Sequence, residues 1–324
     1  MIIDINFVGL IITSIMASSV PLILASCGEL ITERSGVLNL GVEGMMIIGA
    51  ISGFALMTVT GSLVIAVFGA MLAGVLISTI FAFLTQTLIT NHVATGLALT
   101  IFGIGISAMI GKNFVGIPGK EFPVLFGSLK DAIPFLSPIL FGHSIVFYFA
   151  FALPFITSYF LKKTKIGLIV RAVGDSPDSA SNQGINVRLV RYLCILYGGA
   201  MCGLAGAYLS MIYTPQWIEN MTGGRGWIAL ALVVFSTWNP IKILVGAMIF
   251  GGLTIIQFHM QAIGVRIPVQ FLTALPYIVT IIVLVVISRD SRKIRLSTPS
   301  SLGKSFYNCL LYTSPSPRDQ RGSG

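Results

Sequence analysis

Nine apolar stretches recur along this chain, near residues 7–27, 37–60, 62–89, 92–110, 143–161, 192–213, 226–238, 243–260 and 270–288, with mostly short polar connections between them. A helix crossing a bilayer needs about 20 consecutive apolar residues, because the hydrocarbon core offers no water to exposed backbone groups. Composition points the same way: of 324 residues, 55% are hydrophobic and 10% charged. Soluble globular proteins carry roughly 25% charged residues. So few charges cannot clothe a water-exposed fold of this length, which excludes a soluble enzyme, a coiled coil and a disordered chain. The expectation is an all-α polytopic membrane protein of about eight to ten transmembrane helices. Some of them should be broken or re-entrant, since Asn39, Gly41, Glu43 and Gly44 interrupt the 37–60 stretch and the 226–238 stretch is short.

Residues 1–308 are expected to form one transmembrane domain containing a polar loop at 162–191. Residues 309–319 read CLLYTSPSPRD and resemble the translation of a transposase-type sequencing-library adapter, so Cys309–Gly324 are expected not to belong to the natural protein, whose own end is then lost after Tyr307. The first stretch begins close to Met1 without a basic flank or a clear cleavage site, as a retained span does. Cys27, Cys194, Cys202 and Cys309 lack CxxC spacing, and His92, His143 and His259 are scattered, so neither a disulfide framework nor a metal site is expected.

Basic residues in short loops mark the cytoplasmic side. Lys162, Lys163, Lys165, Arg171, Arg188 and Arg191 face only Asp175 and Asp178; beyond Ser288, Arg289, Arg292, Lys293, Arg295 and Lys304 face only Asp290. Four stretches separate these two segments, an even number, as a shared side requires. Both should therefore be cytoplasmic; a count of nine spans would put Met1 outside, though no basic residue before Arg34 fixes that side.

A carboxylate at membrane depth is expensive unless it faces protein or water, which makes Glu43 a candidate pathway residue or the cap of a half-helix. A second glycine-broken segment, MTGGRGWIALALVVFSTWNP, runs from Met221 to Pro240 and contains Arg225. Paired interruptions in two halves of a chain mark substrate sites in transporters built from repeats. Asn39, Glu43, Gln86 and Arg225 are the pathway candidates. Asn91, His92 and Gln257 are expected to serve structural hydrogen bonds. Small residues fall four apart at Gly199, Gly203 and Ala207, at Gly49 and Gly53, and at Ala70, Gly74 and Ser78. That spacing lets helix backbones approach closely, here within one bundle. Gly303-Lys304-Ser305 imitates the end of a phosphate-binding loop, but Thr298 stands where its first glycine should be, so the chain shows no ATP site of its own.

The segment RAVGDSPDSASNQGINVRLVR, from Arg171 to Arg191, is more than a turn requires. Ser176-Pro177 can open a short helix, Ala180 can continue it, and Gly184 can end it. An exposed helix between two spans is suited to docking.

Together with this loop, the runs ERSGVLNLGVEGMMIIGA, GGAMCGLAGAYLSM, GGRGWIALALVVFSTWNP and IPVQFLTALPYIVTIIVLVVISR resemble permease subunits of ATP-binding-cassette importers. The resemblance is to the branched-chain amino-acid and simple-sugar permease superfamily, in its nucleoside-type group, and spans Glu29 to Arg289. It implies a multi-pass subunit of a bacterial plasma membrane, surrounded by membrane lipid, without cofactor and without nucleic acid. A second, usually different permease, an ATP-binding subunit and an extracytoplasmic substrate-binding lipoprotein are the implied partners. It further implies a coupling helix comprising Gly174, Asp175, Pro177, Ala180, Gly184 and Ile185, and a transport rather than an enzymatic role. Nucleosides are the implied solute, with a ribose-type sugar or a branched-chain amino acid as alternatives. An ion-driven transporter using Glu43 and a non-transporting scaffold are the readings from other classes.

Overall fold

The computed structural model describes residues 5–120, 122–126, 137–262, 268–288 and 297–307. The basic residues Arg289, Arg292, Lys293 and Arg295 and the segment 309–324 lie outside the described residues. Among the described residues twelve α-helices follow one another: α1 (Ile5–Arg34), α2 (Val42–Thr60), α3 (Leu63–Ala82), α4 (His92–Gly111), α5 (Ser137–Leu140), α6 (Ile145–Lys163), α7 (Lys165–Asp175), α8 (Pro177–Asn182), α9 (Val187–Tyr208), α10 (Arg225–Phe235), α11 (Pro240–Ala262) and α12 (Val269–Ser288). A π turn at Phe83–Thr87 extends α3 and another at Leu209–Tyr213 extends α9. Among the described residues the extended chain makes only three isolated bridges, such as Val115 with Trp217.

Seven of these helices are long and apolar enough to cross a membrane, and two shorter apolar helices, Arg225–Phe235 and Ala274–Val283, accompany them. The chain is an all-α polytopic membrane protein. The short 226–238 stretch is explained by its geometry: α10 is a half-length helix of 11 residues, preceded by irregular backbone that runs back from the end of α9. Irregular backbone is tolerated at membrane depth only where it is buried in protein or lines a water-filled cavity.

The core gathers around α9, which packs on α1, α2 and α3. Its most apolar window is 78% buried and that of α2 is 72%, whereas α3 and α4 bury only 28%. On α3 the side chains of Val64, Phe68, Leu72 and Leu76 stand exposed at intervals of four residues, one apolar stripe along a single helix face. Such a stripe suits lipid rather than water. The small-residue ladders interlock where α9 crosses its neighbours. A Cβ on Gly203 would run into the Ala70 carbonyl, one on Gly49 into the Gly203 backbone, and one on Gly74 into Gly199. The close approach lies within this one chain, as the spacing predicts.

Pro21 sits inside α1 without ending it. The helix continues past the apolar stretch to Arg34 and carries Glu29 and Glu33 into the interior. Between α6 and α9 the polar loop contains an additional helix absent from the sequence reading. This is α7, whose buried residues Gly167, Val170, Val173 and Gly174 lie on one side.

Candidate functional site

Two places collect the expected functional residues. The first is the start of α2. The Asn39 side-chain oxygen accepts a hydrogen bond from the Gly41 N–H at 2.9 Å, turning the chain so that the helix can begin at Val42. Glu43 then lies in the first turn, 3% exposed. Opposite it stands the second interrupted segment, where Asn220, Gly223 and Gly224 all have positive φ and deliver the chain to α10. The Thr222 hydroxyl donates to Glu43 Oε1 at 2.5 Å, the Gly224 N–H donates to the same oxygen at 2.9 Å, and the Gly226 N–H donates to Oε2 at 2.6 Å. The first N–H groups of a helix have no partner within it and carry partial positive charge, so the carboxylate completes the end of α10. A Cβ at Gly226 would stand 2.6 Å from the Glu43 backbone, which explains a glycine there.

Glu43 thus joins the two interrupted segments. Asn39 belongs to the same neighbourhood, its backbone N–H donating to Glu29 Oε1 at 3.1 Å. Arg225 also lies beside it, with one guanidinium nitrogen donating to the Met221 carbonyl at 3.3 Å and its carbon 5.7 Å from the centre of the Tyr213 ring. Gln86 does not join this group. It is buried in the π turn after α3, where its amide donates to the Thr85 hydroxyl at 3.2 Å. Asn91 caps α4 by accepting from the Val93 and Ala94 N–H groups. His92 is buried beside Phe81, and neither ring nitrogen has a hydrogen-bond partner.

Sequence reasoning did not single out Glu29 and Glu33 as site residues. Glu29 is fully buried, with one carboxylate oxygen on Asn39 and the other without a partner. Glu33 accepts from the Trp238 indole N–H at 2.6 Å. α10 is therefore gripped at both ends by carboxylates, Glu43 before it and Glu33 just after it. In the sequence these two acids resemble the polar flank of a finished span, and their partners lie too far along the chain to reveal otherwise.

The second place is the α7–α8 loop. Thr164 caps α7 by accepting from the Gly167 N–H at 3.0 Å, and Ser176 caps α8 by accepting from the Ser179 N–H at 3.4 Å. Pro177 occupies the first turn, as expected. Gly184, at φ +82°, takes the left-handed conformation that closes the helix, and the following Ile185 N–H donates to the Ala180 carbonyl at 3.1 Å. Ala180 is buried against Val173 and Val187, whereas Asp175 and Gly184 are exposed. Gly174 is buried, and a Cβ there would run into the Arg34 carbonyl at the end of α1. Arg191, counted in the sequence as a loop charge, is instead fully buried within α9.

At the opposite ends of α6 and α9 from this loop lies a cavity of about 720 Å³, lined by Phe122, Phe147, Tyr208 and Tyr213 together with Thr13 and Ser144. Among the described residues no group of three or more His, Cys, Asp or Glu is placed to hold a metal ion.

A many-helix membrane bundle with a half-helix pinned at both ends and a short exposed helix at one end fits a multi-pass membrane permease. The particular family is shown by comparison: the chain belongs to the family described as branched-chain amino acid transport system / permease component, which its residues 11–288 match. It is similar to a Haloferax volcanii permease protein provisionally named for glucose ABC transport, with 36% identity over 253 residues, covering 71% of this chain and 77% of that protein. The guanosine ABC transporter permease protein of Bacillus subtilis is 33% identical over 221 residues, covering 64% of this chain and 68% of its own. A nucleoside ABC transporter permease protein of Lactococcus lactis is 30% identical over 216 residues, with the same shares. The chain is a permease component rather than an enzyme.

Proposed function

We propose that this chain is one of two permease subunits of an ATP-driven importer that moves nucleosides, with the α7–α8 end facing the cytoplasm. The observation that carries the reading is α8: a capped, glycine-ended helix whose outer face is exposed, while its root, the end of α7 at Gly174, is packed backbone against backbone on α1. A separate ATP-binding subunit would grip that face. Its closure on ATP would push α8, and the packed root would pass the movement to α1 and to the Glu43 junction. A second permease would complete the pathway, and an extracytoplasmic lipoprotein would deliver the solute.

Nucleosides are favoured by two of the relatives and by the lining of the 720 Å³ cavity, where aromatic side chains suit a base and Thr13 and Ser144 suit a ribose. The Haloferax relative supports a second reading, a simple sugar. The test is uptake into vesicles holding this chain with its partner permease and ATPase. Labelled guanosine or uridine is expected to accumulate only with ATP, and excess glucose is expected not to compete. Competition by glucose instead would transfer the assignment to sugars. The orientation is checked with Asn182→Cys, on the exposed side of α8. Labelling of this cysteine from outside intact cells would overturn the docking role.

A further inference from the structure

One group of contacts at the α8 end comes from outside the spans of the bundle. Residues 297–307 return from beyond α12 and lie across the foot of α1 and the end of α7. The Ser301 N–H donates to the Gly174 carbonyl at 3.0 Å and its hydroxyl donates to the same carbonyl at 2.6 Å. The Gly303 N–H donates to the Gly36 carbonyl at 3.0 Å, and Arg34 donates to the Ser297 carbonyl at 3.1 Å. Phe306 packs on the apolar cluster of Val173, Ala180 and Val187 that seats α8.

Arg191 lies beneath these contacts, fully buried. Its Nε donates to the Ser35 carbonyl at 3.2 Å, one terminal nitrogen donates to the Ser301 hydroxyl at 3.2 Å, and the other donates to the Lys304 carbonyl at 3.1 Å. A buried guanidinium requires acceptors, and two of these three come from the returning segment. Without the segment Arg191 keeps only Ser35. Gly36, at φ +91°, leaves the space that the Ser301 hydroxyl fills, since a Cβ there would collide with it. Four separate parts of the chain therefore meet at one point: the end of α1, the end of α7, the start of α9 and Ser301.

We propose that residues 297–307 are a strap that fixes the coupling loop to α1, with Arg191 and Ser301 as positioning residues for coupling. The strap supplies what transmission over distance requires, a rigid connection between the docking helix and the element it must move. The proposal rests on the importer reading. The contact of Gly174 with the Arg34 carbonyl can pass a push from the loop to α1, but it holds nothing against a pull; the hydrogen bonds of the strap do. With the strap in place, displacement of α8 drags the foot of α1, and with it Glu29 and Glu33.

The test uses the full transporter in vesicles and reads solute moved per ATP hydrolysed. Ser301→Gly removes the hydroxyl bonds and keeps the backbone bond; Ser300→Gly, on the exposed neighbour, is the control. Ser301→Gly and Phe306→Ala are each expected to lower the ratio by about fivefold or more, the lower range of coupling between linked sites, while ATP hydrolysis and the amount of inserted protein stay close to those of the control. Arg191→Lys is expected to behave like Ser301→Gly, because one ammonium cannot fork across three acceptors. An unchanged ratio, or uptake and hydrolysis falling in step with protein level, would overturn the strap. Absence of ATP-dependent uptake in the unaltered protein would sink the importer reading instead. Amide exchange across residues 173–186 then tests the strap by itself, faster exchange in Ser301→Gly supporting the attachment and unchanged exchange refuting it.

Discussion

The Glu43 junction and the α8 loop are both glycine-flanked breaks between helices, yet they are built in opposite ways. At Glu43 the break is closed over: the carboxylate is buried, every donor aimed at it is backbone or hydroxyl, and Gly226 presses directly on α2. At α8 the break is open: Gly184 meets nothing, and Asp178, Asn182 and Gln183 are exposed. Similar-looking interruptions therefore have different consequences. Damage at the first is expected to be a fault in the fold, whereas damage at the second is expected to leave the fold intact and, on the importer reading, to cost transport.

That contrast can be broken experimentally, and the expected losses of stability descend in order. Glu43→Ala strips two buried donors and one part-buried donor of their acceptor, at about 1–3 kcal/mol for each buried group left unsatisfied. The purified protein should lose much of its thermal stability, and Glu43→Gln should fall between the two. If Glu43→Ala instead inserted and melted normally while uptake vanished, the residue would belong to the pathway rather than to the framework. Gly203→Leu forces a side chain between α9 and the Ala70 carbonyl, for which about 3 kcal/mol is expected from overpacking. The yield of folded protein in membranes checks it. Gly184→Val imposes about 1–3 kcal/mol of local strain, which the exposed loop absorbs. Membrane levels should stay normal while uptake drops by about tenfold, equal to about 1.4 kcal/mol taken from docking. Asp178→Asn, in the first turn of α8, should change stability by no more than about 1 kcal/mol. Its effect on uptake then reports whether that carboxylate meets the ATPase.

Much of this was legible from local chemistry. Ser176, Pro177 and Gly184 announced α8 because caps and left-handed glycines act within a few residues. The four-residue spacing at Gly199 and Gly203 announced close helix packing for the same reason. What local chemistry could not reveal were the partners. Glu33 looks like the charged border of a span until Trp238, 205 residues away, is seen to bond it. Glu29 and Arg191 were hidden in the same way, since a charge in a loop and a charge satisfied by distant backbone are written with the same letter. α7 escaped notice because its lysine and arginine outweighed a buried side made of Gly167, Val170, Val173 and Gly174.

The meshing of α9 with α2 and α3 also limits how the subunit can move. Where main chains touch with no side chain between them, neither helix can roll or slide without a collision, so these three must travel as a block. A Cβ on Gly44 would run into the Leu99 carbonyl and one on Gly103 into the Gly44 backbone, so α4 is held to the same block, and opening and shutting of any passage falls to the spans outside these four and to whatever neighbour they lean against.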